Sequence, residues 1–156
     1  MPITIADIIT TKAQSRKILG APPQCVTAKV SRTIDKHCRA FIARSPFIIV
    51  ASSDSNGNVD GSPKGDPTGV VQVPDDYTPA IPDRLGHHHA DTSTNIIHDP
   101  KVDLHFLISG KPETVRVSGA TSIVRDQWRR DDMAIKGQAP DRALVIHVEE
   151  ASIHYA

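Results

Sequence analysis

Three consecutive histidines, His87, His88 and His89, stand in the middle of the chain, and His98 and His105 follow them. Five of the eight histidines therefore fall within nineteen residues. Imidazole is the commonest protein ligand for transition metals and the usual acid or base near neutral pH, so chemistry is expected here. On an extended backbone alternate side chains share a side, which puts His87 and His89 together and His88 opposite. His105, within the next apolar run, can approach from a neighbouring strand, and Asp91 or His98 can complete the set. Two or three imidazoles with a carboxylate suit Fe(II), Zn(II) or Cu(II), and open coordination positions would admit dioxygen and a small-molecule substrate. Iron is the first expectation, with His87, His89 and His105 as ligands and with His88 or Asp91 orienting them or moving a proton. His98 reads equally well as a cation at a helix end. His37, His147 and His154 stand alone and read as surface or packing residues.

The elements that must hold this segment can be read from period and punctuation. Residues 31–44 carry apolar side chains at 34, 38, 41 and 42, one face of a helix, which Ser31 or Thr33 can cap. Residues 47–52 form a β-branched run, 54–57 a turn, and 59–62 the returning strand of a hairpin. Short strands over 70–73 and 78–81 continue an antiparallel meander. Asp91 can cap a short helix through Ile97, ended by Asp99-Pro100. Strands follow over 102–108 and 113–124, then a helix over 126–135 with Trp128, and a closing strand over 143–148. Six or seven short strands with few helices predict a small, mainly β barrel with helices packed outside it. Residues 1–30 read as an N-terminal arm or helix and 31–156 as the barrel domain, within one domain overall.

At 156 residues the chain is long enough to bury a core without disulfides or structural metal. Its 18 basic and 18 acidic side chains balance, which argues against nucleic acid or an anionic membrane surface as partner. Cys25 and Cys38 are the only cysteines, and the opening residues lack the charged start and apolar block of a secretory signal. A cytoplasmic protein with free thiols is the expectation.

Four stretches carry a family resemblance: residues 34–47 (IDKHCRAFIARSPF), 62–67 (SPKGDP), 81–84 (IPDR) and 113–119 (ETVRVSG). In this order they resemble the pyridoxamine phosphate oxidase-like FMN-binding split-barrel proteins. The resemblance runs from about Arg16 to His154. It implies a six-stranded antiparallel split barrel that forms a homodimer, with flavin pockets at the subunit interface. Where relatives continue after Arg84 with proline, glycine, asparagine, a variable residue and arginine, this chain has Leu85, Gly86, His87, His88 and His89, and Thr94 replaces a further arginine. His105 stands where relatives carry an aliphatic residue. Flavin phosphate is best held by charge-assisted, bidentate donors, which arginine supplies and neutral imidazole does not.

Three uses of the scaffold follow. The first is the His-ligated metal centre, an oxygenase-like oxidoreductase in which Lys64, Arg84 and Arg116 would bind a small acidic substrate. The alternative is an FMN-dependent oxidoreductase, with Ser62, Lys64, Arg84, Thr92, Asn95 and Arg116 as cofactor-binding residues and the amino end of the helix from Asp91 presenting backbone amides to the phosphate. A third is a non-catalytic haem or flavin binder, in which one histidine would be an axial ligand.

Overall fold

The computed structural model describes residues 3–24, 30–84 and 91–155, with the backbone alone of Asp91. Ten elements among these residues follow in chain order. They are α1 (Lys12–Leu19), α2 (Lys36–Arg44), β1 (Phe47–Ser53), β2 (Val59–Gly65), β3 (Ala80–Asp83), α3 (Asp91–His98), β4 (Lys101–Leu107), β5 (Glu113–Val124), α4 (Gln127–Asp131) and β6 (Arg142–Tyr155). The six strands form one antiparallel sheet in the order β2-β1-β4-β5-β6-β3. Among the described residues no helix is long and apolar enough to cross a membrane.

Most of the strands form because alternate residues find an apolar side. On β1, Ile48, Val50 and Ser52 are buried; on β4, Val102, Leu104 and Phe106; on β5, Val115 and Val117. These inward side chains, with Leu144 and Ile146 of β6 and Ile81 of β3, make the main core. The β1–β2 hairpin is set by Asp54, whose Oδ1 accepts from the backbone amides of Asn56 and Asn58, both at 2.8 Å. Gly57 there has φ of 83°, a conformation that side-chain-bearing residues rarely adopt. The β5–β6 ladder is the longest, and its register shifts at Ser118/Gly119. A Cβ at Gly119 would lie 2.1 Å from the carbonyl oxygen of His147, so the bulge requires glycine at that point.

The sheet curls until its two edges meet. Strand β3 hydrogen-bonds β6 at one end of the order, yet its Asp83 reaches Lys64 of β2 at the other. The result is the six-stranded antiparallel split barrel that the sequence predicts.

Two helices close its openings. Asp35 caps α2, its Oδ1 accepting from the amides of His37 at 2.9 Å and Cys38 at 2.8 Å, and Cys38 and Ile42 face the core. Helix α3 lies over the inward side of β1 and β2, where Asn95 Nδ2 donates to Ser52 Oγ at 3.0 Å and Thr92 Oγ1 to Asp60 Oδ2 at 3.2 Å.

Several boundaries differ from the sequence reading. Helix α2 starts at Lys36, not near Ser31, because Ser31 pairs with Ala151 in an isolated bridge and Asp35 takes the cap. Residues 70–73 contribute only the bridge of Gln72 to Ala80. The strands do not form a simple meander: β3 leaves β2 to pair with β6. The closing strand runs to Tyr155, and α4 stops at Asp131. In the arm, α1 buries no residue, and Ile3, Ile5, Ile8 and Ile9 are exposed.

Candidate functional site

The inward side of β2 is the one strand face of the barrel without an aliphatic side chain. Its register opposite Ser52, Val50 and Ile48 places Asp60, Ser62 and Lys64 inward in turn. Two residues of strand advance about 6.7 Å, so this polar strip extends about 13 Å from Asp60 to Lys64. Thr92, in the first turn of α3, holds the Asp60 end.

The Lys64 end is an ion network. Lys64 Nζ lies 2.8 Å from Asp83 Oδ1, and Arg142 Nε lies 2.9 Å from Asp83 Oδ2, close enough for an ion pair although its N–H is not aligned for a hydrogen bond. The Lys64 and Asp83 side chains are 16% and 10% exposed, so both charges are largely withdrawn from water. A second pair repeats the bridge with its polarity reversed. Arg84 Nε, just past β3, is 3.2 Å from Asp66 Oδ1, just past β2. Its Nη2 donates to the carbonyl of Met133 at 2.6 Å and its Nη1 to that of Gln138 at 3.3 Å, which ties the split to the segment after α4. A cavity of about 10 Å³, bordered by Ile48, Lys64, Asp66 and Pro82, has room for one water.

The outward side carries a different set. Asp103 Oδ2 accepts from Arg116 Nε at 2.9 Å, Asp103 Oδ1 accepts from the Ser118 hydroxyl, and His105 Nε2 stands 3.9 Å from Asp103 Oδ2. An open groove of about 350 Å³ runs past Asp103, Arg116 and Ser118 between Ala51 and Glu149.

The sequence-chosen residues therefore divide. Ser62, Lys64 and Arg84 gather along the split, with Thr92 at the far end of the strip. Asn95 is buried, with its amide turned onto Ser52. Arg116 and His105 are cross-strand neighbours on the opposite face. His87, His88 and His89 lie outside the described residues, as does the side chain of Asp91. The expected metal centre finds no support: among the described residues no group of three or more His, Cys, Asp and Glu side chains could hold an ion. His105, its proposed third ligand, lies on the outward side of β4. Val102, Leu104 and Phe106 take the inward positions, so His105 turns away from the side on which α3 packs. Exposed His98 ends α3.

Cys38 offers no nucleophile or ligand either. Burial first, and then the neighbouring Asp35 carboxylate, push its thiol up to about 12, so it stays protonated. Sequence reasoning passed over Asp66, Asp83 and Arg142 as site residues. The first two stood in the quoted stretches SPKGDP and IPDR beside chosen cations, whereas nothing local marked Arg142.

A curled six-stranded antiparallel sheet with ion pairs across its split and a short helix laid over its first hairpin defines a split-barrel protein of the flavin-binding type. The chain belongs to the pyridoxamine 5'-phosphate oxidase family, whose model matches residues 34–155. No curated protein matches it. Among solved structures it is similar to HupZ of Group A Streptococcus, at 20% identity and a TM-score of 0.63, covering 76% of this chain and 91% of that one. It is also similar to a pyridoxamine 5'-phosphate oxidase-related, FMN-binding protein from Nostoc punctiforme, at 10% identity and a TM-score of 0.56, with coverage of 78% and 84%. An FMN-binding protein from Syntrophomonas wolfei covers more of the chain, 92% against 97% of its own, at 16% identity and a TM-score of 0.55.

Proposed function

We propose that the chain binds FMN at the split of its barrel and acts as an FMN-dependent oxidoreductase on a small molecule, as a homodimer in the cytoplasm. The observation that carries this reading is the family match over residues 34–155, and the FMN-binding proteins among its structural relatives agree with it. It displaces the iron-centred reading, which rested on the histidines alone.

The residues present fit the cofactor's phosphate tail. Ser62 and Thr92 offer hydroxyls along the polar strip, Lys64 and Arg142 offer cations, and the amino end of α3 offers backbone amides. When bound, the isoalloxazine ring supplies hydride or electron transfer. The chain's own residues bind and orient: the strip fixes the tail, and the apolar core behind it keeps water from the barrel side.

The test is an absorbance spectrum of the purified, untagged protein with elemental analysis of the same sample. Two flavin bands, retained on desalting and without stoichiometric metal, are the expected result. A colourless protein with about one iron, copper or zinc per chain would overturn it.

A further inference from the structure

We propose that Asp83 sets how strongly the pocket prefers a phosphorylated ligand to its unphosphorylated form, because it holds Lys64 in an internal ion pair that an incoming phosphate has to share. The idea rests on the flavin reading for its ligand, while its electrostatic part can be read with inorganic phosphate alone.

Asp83 gives one carboxylate oxygen to each of two cations from different strands, Oδ1 to Lys64 of β2 and Oδ2 to Arg142 of β6. Two positive charges against one negative leave a surplus of one. Arg84, the next residue, adds nothing to that surplus, since its guanidinium is matched by Asp66 and by the carbonyls of Met133 and Gln138. At the far end of the strip, Asp60 contributes a further carboxylate beside Thr92. Among the described residues, an arriving dianion therefore meets cations that already have partners. The position at 2.8 Å from the Lys64 ammonium is already taken by the Asp83 carboxylate.

This arrangement predicts an ordering. In Asp83→Asn the triad of residues 64, 83 and 142 carries two net charges, in the wild type one, in Lys64→Gln none, and in the Lys64→Gln/Asp83→Asn double variant one again. One unit charge about 10 Å from a dianion, at an effective dielectric near 20 and screened by salt over about one Debye length, changes affinity roughly tenfold.

The experiment measures dissociation constants of FMN and riboflavin by flavin fluorescence, with full-length protein at fixed ionic strength, for these four proteins. The ratio of the two constants isolates the phosphate. The expected result is a preference for FMN about tenfold higher in Asp83→Asn, about tenfold lower in Lys64→Gln, and near the wild-type value in the double variant. An unchanged ratio in Asp83→Asn, or an equal loss of both flavins there, overturns the proposal and leaves Asp83 a structural residue. If Asp83→Asn does not fold, Lys64→Gln against the double variant reads the same charge, and an equal ratio in those two proteins overturns it. If none of the four proteins binds either flavin, the flavin reading has failed. Inorganic phosphate then decides the electrostatic part by thermal denaturation: a larger stabilisation of Asp83→Asn than of wild type sustains it, and equal shifts overturn it.

Discussion

Lys64 and Asp83 meet at 2.8 Å although their strands, β2 and β3, stand at opposite ends of the sheet order. The pair therefore bridges the split of the barrel, and its side chains, 16% and 10% exposed, have given up most of their hydration. Removing one member of a buried pair leaves the other uncompensated. Asp83→Ala, which strands both Lys64 and Arg142, is expected to lower the free energy of unfolding by about 3 kcal/mol in urea, with little change between low and high salt. The contrasting pair is Lys101 with Glu149, whose side chains are 58% and 53% exposed. Lys101→Ala should cost less than about 1 kcal/mol. Equal effects of the two substitutions would contradict the assignment of Asp83 to a desolvated network.

A Cβ on Gly119 would lie 2.1 Å from His147 O and 2.8 Å from its carbonyl carbon, both backbone atoms that no rotamer change can move. Gly119→Ala should therefore destabilise by about 3 kcal/mol or more, through displacement of the β5–β6 ladder at its bulge. Gly57→Ala, at positive φ but with nothing within 4 Å, should cost about 1 kcal/mol. Thermal melts of the two variants distinguish a steric requirement from a conformational one.

The Asp35 carboxyl is held below its ordinary value, chiefly by the Cys38 backbone amide it accepts from. A group with a lowered folded-state pKa stabilises above the unfolded value, here 3.8, and that stabilisation is lost as pH falls through the folded one. Asp35→Asn keeps a cap for α2 but removes the titration. Between pH 5 and pH 3 its melting temperature should fall less than that of wild type, while near pH 7 the two differ little. Parallel curves would show that the cap contributes nothing to acid sensitivity.

Much of this architecture was legible because alternation and turn chemistry are local. Asp54 and Gly57 announce the first hairpin, and the apolar alternation at 102, 104 and 106 announces β4. That same alternation assigns His105 to the outward side, a deduction strand parity allowed and the attraction of the histidine cluster obscured. The full length of β6 was hidden, because Glu149 and Glu150 interrupt its apolar run and the bulge at Ser118/Gly119 resets the pairing opposite them. The site was half legible. Lys64 and Arg84 announce themselves as cations, but their being already paired depends on two strand edges, nineteen and eighteen residues apart in sequence, meeting when the sheet curls. No spacing rule reports such a meeting. The register shows why residues 70–73 form no full strand: they pair with the chain only through Gln72 and Ala80.

Asn95 and Thr92 separate the anchoring of α3 from any contact with a ligand. Asn95 is buried, and its Nδ2 donates to the buried Ser52 hydroxyl at 3.0 Å. Asn95→Ala orphans that hydroxyl and should cost about 1–2 kcal/mol. Thr92 is half-buried, with its hydroxyl on Asp60 Oδ2 at 3.2 Å, so Thr92→Val keeps the shape and should cost less than about 1 kcal/mol. If the first turn of α3 holds the cofactor phosphate, Thr92→Val should weaken FMN several-fold and leave riboflavin unchanged. Asn95→Ala, by loosening the helix on β1, should weaken FMN in proportion to its loss of stability. Measured together by flavin fluorescence and urea denaturation, a Thr92→Val protein that binds FMN as tightly as wild type removes Thr92 from the cofactor set, whatever Asn95→Ala does. An Asn95→Ala protein of unchanged affinity but lowered stability assigns α3 to closing the barrel alone.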